Sequence, residues 1–135
     1  MVEIEIDGKK IKAEAGSPLL QVALDSGKPI PHFCYHKKLS ITASCRMCLV
    51  EVEKTPKLVP ACATPVVDGM VIHTDSGKVI EARKAVMEFL LINHPLDCPV
   101  CDQGGECFLQ DYSVGYGAGK ARFTEEKRIV FVKNV

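Results

Sequence analysis

Seven cysteines in 135 residues constrain this chain more than any other feature, because an odd number cannot all pair with one another. They fall into two groups. The first reads C-x10-C-x2-C-x13-C over Cys34, Cys45, Cys48 and Cys62. The second reads H-x3-C-x2-C-x5-C over His94, Cys98, Cys101 and Cys107, which uses every remaining cysteine. Two residues between cysteines let both thiolates face one centre, and a more distant pair closes the other side of a tetrahedral or binuclear site. The N-terminus lacks the charged-then-apolar profile of a signal peptide, and cysteines kept in a reducing compartment are more often metal ligands or redox groups than structural disulfides.

Charge and hydropathy exclude several other classes. Seventeen basic residues balance seventeen acidic ones, so no long-range field favours a nucleic acid or an anionic membrane surface. The longest apolar runs, Phe89 to Ile92 among them, are far shorter than the roughly 20 residues of a membrane span. The chain reads as soluble and unexported.

Periodicity divides it into two parts. Val2 to Ile6 alternates, breaks at Asp7-Gly8 and resumes at Ile11 and Ala13, the pattern of a β-hairpin with one buried face. Ser17-Pro18 offers an N-cap and a first helical residue, Leu19, Leu20, Ala23 and Leu24 make an apolar stripe, and Gly27 is a fitting stop. The stretch from Pro29 to Arg46 has no period and reads as a loop holding the first two cysteines. Strands are expected at 48–53, 58–63 and 70–73, which makes a small α+β domain ending near Asp75.

Asp75 or Ser76 can then cap a largely buried helix from about Lys78 to Asn93, which ends at His94-Pro95. A compact cysteine loop follows, then a short helix around Glu106 to Tyr112. Gly115, Gly117 and Gly119 read as a flexible linker. They lack the spacing and the flanking strand of a dinucleotide fingerprint, and Gly119-Lys120-Ala121 lacks that of a phosphate loop. An apolar strand over 129–132 ends the sequence.

Spacing by itself leaves the chemistry open. Four thiolates suit a structural zinc ion as well as iron and sulfide. The second set also fits a zinc site, Cys98-Pro99-Val100-Cys101 has the form of a redox pair, and His94 has a plain role as the partner of free carbonyls at a helix end. His32 and His36 are expected to be surface groups or to support Cys34 from outside the ligand set. Lys37, Lys38 and Arg46 form a solvated face, or Arg46 offsets the charge of a thiolate-bound centre. Gly104-Gly105 permits a tight turn whose N–H groups could face cluster sulfurs.

Context narrows the choice. The segments Pro31-His32-Phe33-Cys34-Tyr35-His36, Cys45-Arg46-Met47-Cys48-Leu49-Val50-Glu51-Val52, Pro60-Ala61-Cys62-Ala63-Thr64-Pro65 and the whole run His94 to Cys107 resemble the N-terminal part of the large iron-sulfur component of respiratory NADH:quinone oxidoreductase, complex I. The resemblance covers nearly the whole chain. It implies an α+β architecture: a β-grasp, ferredoxin-like 2Fe-2S domain over 1–77, a small, mostly helical 4Fe-4S domain over 78–117, and a linker and strand over 118–135. It assigns a 2Fe-2S cluster to Cys34, Cys45, Cys48 and Cys62, and a 4Fe-4S cluster to His94, Cys98, Cys101 and Cys107.

The implied role is electron transfer from a flavin- and NADH-binding subunit towards quinone, beside other peripheral-arm subunits. No complete active site lies in this chain. The implied location is cytoplasmic, peripheral to the inner membrane through the complex, with no direct insertion and no nucleic acid. The same module is similar to parts of NAD-reducing and iron-only hydrogenases and of NAD-linked formate dehydrogenases. A zinc-stabilised interaction module is the reading without redox chemistry.

Overall fold

The structure is a computed structural model that describes residues 1–129. It forms two compact units, Met1–Arg83 and a second that begins at Lys84. The expected strand over 129–132 lies almost wholly outside the described residues.

The first unit is built on a mixed sheet. Strands β1 (Val2–Ile6) and β2 (Lys9–Ala13) pair antiparallel, with Ile4 opposite Ile11. Asp7 and Gly8 join them with φ of 48° and 84°, the left-handed pair that a two-residue hairpin turn requires. Strand β3 spans Leu49–Val52, β4 is Val59–Pro60 and β5 is Val71–His73. The sheet order is β2-β1-β5-β3-β4, with β1 and β5 parallel and the other pairs antiparallel.

Alternation along β1 and β3 sends Ile4, Ile6, Val50 and Val52 to one face, where Ile72 of β5 joins them. Helix α1 (Leu19–Asp25) contributes Leu19, Leu20 and Ala23 to the same core, all fully buried. Burying a leucine of this kind stabilises the fold by about 1.5–3 kcal/mol.

Helix α1 starts differently from the pattern read in the sequence. Pro18, not Ser17, takes the N-cap position, in an extended conformation with no side-chain cap. The reason is a short pairing with the chain beyond Cys62. Leu19 N–H donates to the Thr64 carbonyl (2.9 Å), Gly16 N–H to that of Val66 (3.0 Å), and Val66 N–H to that of Ser17 (2.9 Å). The first of those bonds satisfies the Leu19 N–H, which a serine cap would otherwise serve. The strand expected over 58–63 is also cut short. Ala61 N–H donates to the Cys48 carbonyl (3.0 Å), and Ala61–Ala63 turns into a single 3-10 turn.

Helix α2 (Gly77–Leu91) has Ser76 as its cap: Val79 N–H lies 3.4 Å from the Ser76 hydroxyl. It is less buried than its composition suggests. Val79, Arg83 and Met87 form a narrow stripe of one residue in four, while Ile80 is 43% and Phe89 76% exposed. At about 100° per residue both side chains point away from that stripe.

In the second unit, Cys98–Val100 forms a 3-10 turn and α3 spans Phe108–Tyr116. Helix α3 runs further than expected and absorbs Gly115, so the glycine stretch is only in part a linker. Among the described residues no helix is long and apolar enough to cross a membrane.

Candidate iron-sulfur centres

Three separate segments deliver the first four cysteines. Cys34 lies in the long loop after α1, Cys45 and Cys48 both come just before β3, and Cys62 is the middle residue of the 3-10 turn after β4. The bond from Ala61 N–H to the Cys48 carbonyl ties the last two segments together, and Cys48 and Cys62 are both 1% exposed. Ile30 and Pro31 bury the start of the loop. His32 Nδ1 lies 2.8 Å from the Ile30 carbonyl, Tyr35 packs edge-on against that imidazole, and the Tyr35 hydroxyl donates to Gln21 Oε1 on α1 (3.0 Å). These contacts fix the backbone on both sides of Cys34. His36 is exposed and its Nδ1 accepts from Lys38 N–H (3.2 Å), so both histidines bond within the loop.

The loop that carries Cys45 holds two non-glycine residues in the left-handed region, Ala43 (φ 50°) and Arg46 (φ 58°). Each costs about 1–2 kcal/mol of backbone strain. Such turns line up successive N–H groups on a concave side. Burial pushes the Cys34 thiol up. It is outweighed by hydrogen bonds to the sulfur from the N–H of Cys45, the hydroxyl of Thr42, the thiol of Cys45 and the N–H of Ser44, so that its pKa falls to about 6.

Cys62 moves the other way, to about 12, through burial first and then the charge and hydrogen bond of Cys48 and the charges of Cys34 and Cys45. The four thiols therefore act on one another, and ionising them together needs a cation among them. Cysteine spacing does not point to Thr42 and Ser44; the one local signal is a Thr-x-Ser run just before a loop cysteine. Arg46 is exposed, in keeping with a solvated face.

The second set lines one cleft of about 1010 Å³ within the second unit. His94, Cys98, Cys101 and Cys107 all border it. His94 lies beyond the end of α2, Cys98 opens the 3-10 turn, Cys101 follows that turn, and Cys107 stands at the N-cap position of α3. His94, Cys98 and Cys101 are exposed and Cys107 is half-buried.

The glycine pair behaves differently from the expectation. Gly104 N–H donates to the Cys101 carbonyl (3.0 Å) and Gly105 N–H to Gln110 Oε1 (3.1 Å), so neither amide faces a sulfur. Gly104 is required for space instead. A Cβ there would lie 2.7 Å from the Cys98 carbonyl oxygen and 3.1 Å from that of Cys101.

The helix-end role open to His94 is filled by another residue. Lys127 Nζ donates to the carbonyls of Leu91 (2.6 Å), at the end of α2, and Ile92 (3.2 Å), just beyond it; the Leu91 carbonyl also accepts the His94 backbone N–H (3.2 Å). Nothing in the local sequence signals this partner, which stands 36 residues further along the chain from Leu91.

Among the described residues no three His, Cys, Asp or Glu side chains converge as ligands of a single metal ion. The donor types fit iron-sulfur ligation: thiolates in both sets, backbone N–H groups on a sulfur in the first, and an imidazole beside three thiols in the second.

Comparison with known proteins agrees with these features. Residues 1–77 match the model of a 2Fe-2S iron-sulfur cluster binding domain, and residues 83–122 that of the NADH-ubiquinone oxidoreductase-G iron-sulfur binding region. The chain is 58% identical over 130 residues to the G component of the NADH-quinone oxidoreductase of Rickettsia felis, covering 96% of this chain and 19% of that protein. It is 59% identical over 136 residues to the mitochondrial NADH-ubiquinone oxidoreductase 78 kDa subunit of Neurospora crassa, covering 99% of this chain and 18% of that one. It thus spans under a fifth of the length of these relatives.

A crystal structure of NAD+-reducing [NiFe]-hydrogenase in the H2-reduced state aligns with a TM-score of 0.80 at 27% identity, over 94% of this chain and 55% of that one. By the match over residues 1–77, more than half its length, the chain belongs to the 2Fe-2S iron-sulfur cluster binding domain family.

Proposed function

We propose that this chain passes single electrons through two iron-sulfur clusters within an NADH:quinone oxidoreductase, from a flavin-bearing subunit towards quinone. In this reading a β-grasp, ferredoxin-like domain over 1–77 holds a 2Fe-2S cluster on Cys34, Cys45, Cys48 and Cys62. A domain over 78–117 holds a 4Fe-4S cluster on His94, Cys98, Cys101 and Cys107. The clusters supply the one-electron chemistry; the protein supplies ligands, burial and tuning of potential.

The observation that carries the reading is the match of residues 1–77 and 83–122 to iron-sulfur binding regions, beside thiols from three separate segments that act on one another and N–H and hydroxyl donors turned onto Cys34. Donors of this kind stabilise the more negative, reduced centre and raise its potential. Burial of Cys48 and Cys62 keeps water from that side of the centre. The identity of 58–59% with subunits of NADH oxidoreductases supports complex I over the hydrogenase, where identity is 27%. Partners are then the other subunits of that complex, and attachment to the membrane is through them.

The test is anaerobic purification followed by metal analysis and EPR after dithionite reduction. Two distinct reduced-cluster signals are expected. A colourless, EPR-silent, zinc-loaded protein would remove the reading in favour of a zinc-stabilised interaction module. Replacing His94 separates ligand from bystander: His94→Ala weakens the four-iron signal, His94→Cys retains it with an altered potential, and unchanged iron and EPR in His94→Ala would strike the imidazole from the ligand set.

A further inference from the structure

The segment after α3 holds the end of α2 at Glu88 and at each of the three residues before His94. Arg122 donates to both carboxylate oxygens of Glu88, through Nε (2.8 Å) and Nη2 (2.6 Å). Lys127 Nζ reaches the carbonyls of Leu91 and Ile92, and Arg128 N–H donates to Asn93 Oδ1 (3.0 Å). Residues 91, 92 and 93 are therefore each held from the same two neighbours, Lys127 and Arg128. Lys127 is half-buried and borders the cleft that His94 and the three cysteines line.

We propose that Lys127 is a positioning residue for His94, capping α2 in place of the histidine so that the imidazole is held towards the cysteines, and lending a positive charge to the same cleft. The inference rests on the four-iron reading above. Two physical facts support it. The carbonyls at a helix C-terminus attract a cationic or donor side chain, and a histidine two or three residues on is an ordinary partner for them. The His94 backbone N–H donates to the Leu91 carbonyl (3.2 Å), and with the Lys127 ammonium bonded to both carbonyls the imidazole is not needed there. A fixed cation near a thiolate-bound centre also stabilises its reduced state. Removing the lysine has two consequences: His94 gains a competing partner in the freed carbonyls, and the cleft loses a charge.

The experiment uses the whole 135-residue chain loaded anaerobically with iron and sulfide. Its readouts are the midpoint potential of the four-iron signal and the nitrogen hyperfine coupling of the reduced cluster by pulsed EPR. The unsubstituted protein is measured first, beside His94→Cys as the zero for nitrogen coupling. Absence of a four-iron signal or of nitrogen coupling in the unsubstituted protein overturns the cluster reading, and the inference with it, before any lysine variant is made.

With that coupling present, Lys127→Met is expected to weaken it and to lower the potential, Lys127→Arg to restore both, and the two-iron signal to stay the same throughout. A Lys127→Met protein with undiminished coupling and unchanged potential overturns the inference alone. So does equal loss of the four-iron signal in the Met and Arg variants, which would make residue 127 a general folding contact.

Discussion

Asp7 is the point where turn chemistry and a buried hydrogen-bond knot meet, and it yields a prediction whose size can be worked from the structure. Its carboxylate accepts from Thr74 N–H (2.7 Å) and from the Thr74 hydroxyl (2.6 Å), and Lys28 Nζ lies 2.7 Å away. Thr74 is fully buried, so neither donor can turn to water. Hydrogen bonds to a charged acceptor contribute about 1.5–3 kcal/mol each, and a half-exposed ion pair such as that with Lys28 about 0.2–1 kcal/mol. Lys28 keeps a second carboxylate in Asp75 (2.8 Å), which reduces its share.

Asp7→Asn keeps one acceptor and the tolerance for positive φ, and is expected to cost about 2 kcal/mol. Asp7→Gly loses both bonds and adds the entropy cost of ordering a glycine but carries no left-handed strain, about 3–4 kcal/mol. Asp7→Ala adds the left-handed strain of about 1–2 kcal/mol and should be the worst of the three.

The assay is urea unfolding of the iron-loaded chain, followed by far-UV circular dichroism. At a slope of about 2 kcal/mol per molar, the Ala variant should unfold at least 2 M earlier. The pH dependence has a fixed sign. Burial opposes the shift, but bonds from the Lys28 ammonium and from the Thr74 hydroxyl and N–H hold the Asp7 carboxyl below its ordinary 3.8. A depressed folded-state value means stability present above pH 3.8 and lost as pH falls through the lower value, so the gap between the natural protein and Asp7→Asn should close only in that acid range. Asp7→Asn as stable as the parent at pH 7, or Asp7→Ala no worse than Asp7→Gly, would refute the reasoning.

Three other substitutions probe the centres. Met47 is fully buried between Arg46 and Cys48, so Met47→Ala should destabilise by about 2–5 kcal/mol and reduce two-iron loading, while Met47→Leu costs under about 1.5 kcal/mol; denaturant midpoints and iron content report both. Thr42→Val removes a hydroxyl donor to the Cys34 sulfur and should lower the two-iron potential in a redox titration, leaving the four-iron potential where it was. Gly104→Ala drives a methyl against the Cys98 and Cys101 carbonyls and should cut four-iron loading several-fold in metal analysis with two-iron loading unaffected.

The parts legible in the sequence are those with a local cause. The hairpin at 2–13 follows from strict alternation and from Asp7-Gly8, which favours a left-handed turn wherever it occurs. The apolar stripe of α1 and the cap of α2 at Ser76 are likewise written in spacing of a few residues. The spacing of the cysteines likewise anticipates that His94, Cys98, Cys101 and Cys107 border one cleft and that the thiols of the first group act on one another.

Features that depend on partners far along the chain were not. The start of α1 is set by Thr64 and Val66, and the end of β4 by the Cys48 carbonyl, because backbone groups accept the nearest donor in space whatever its sequence distance. The turn at Gly104-Gly105 offers N–H groups that could face sulfurs, yet those amides donate to the Cys101 carbonyl and to Gln110. Lys127 had no local signal at all. Spacing determines which residues can share a centre; packing decides which hydrogen-bond donors and charges surround it, because only the folded chain brings residue 127 to residue 91.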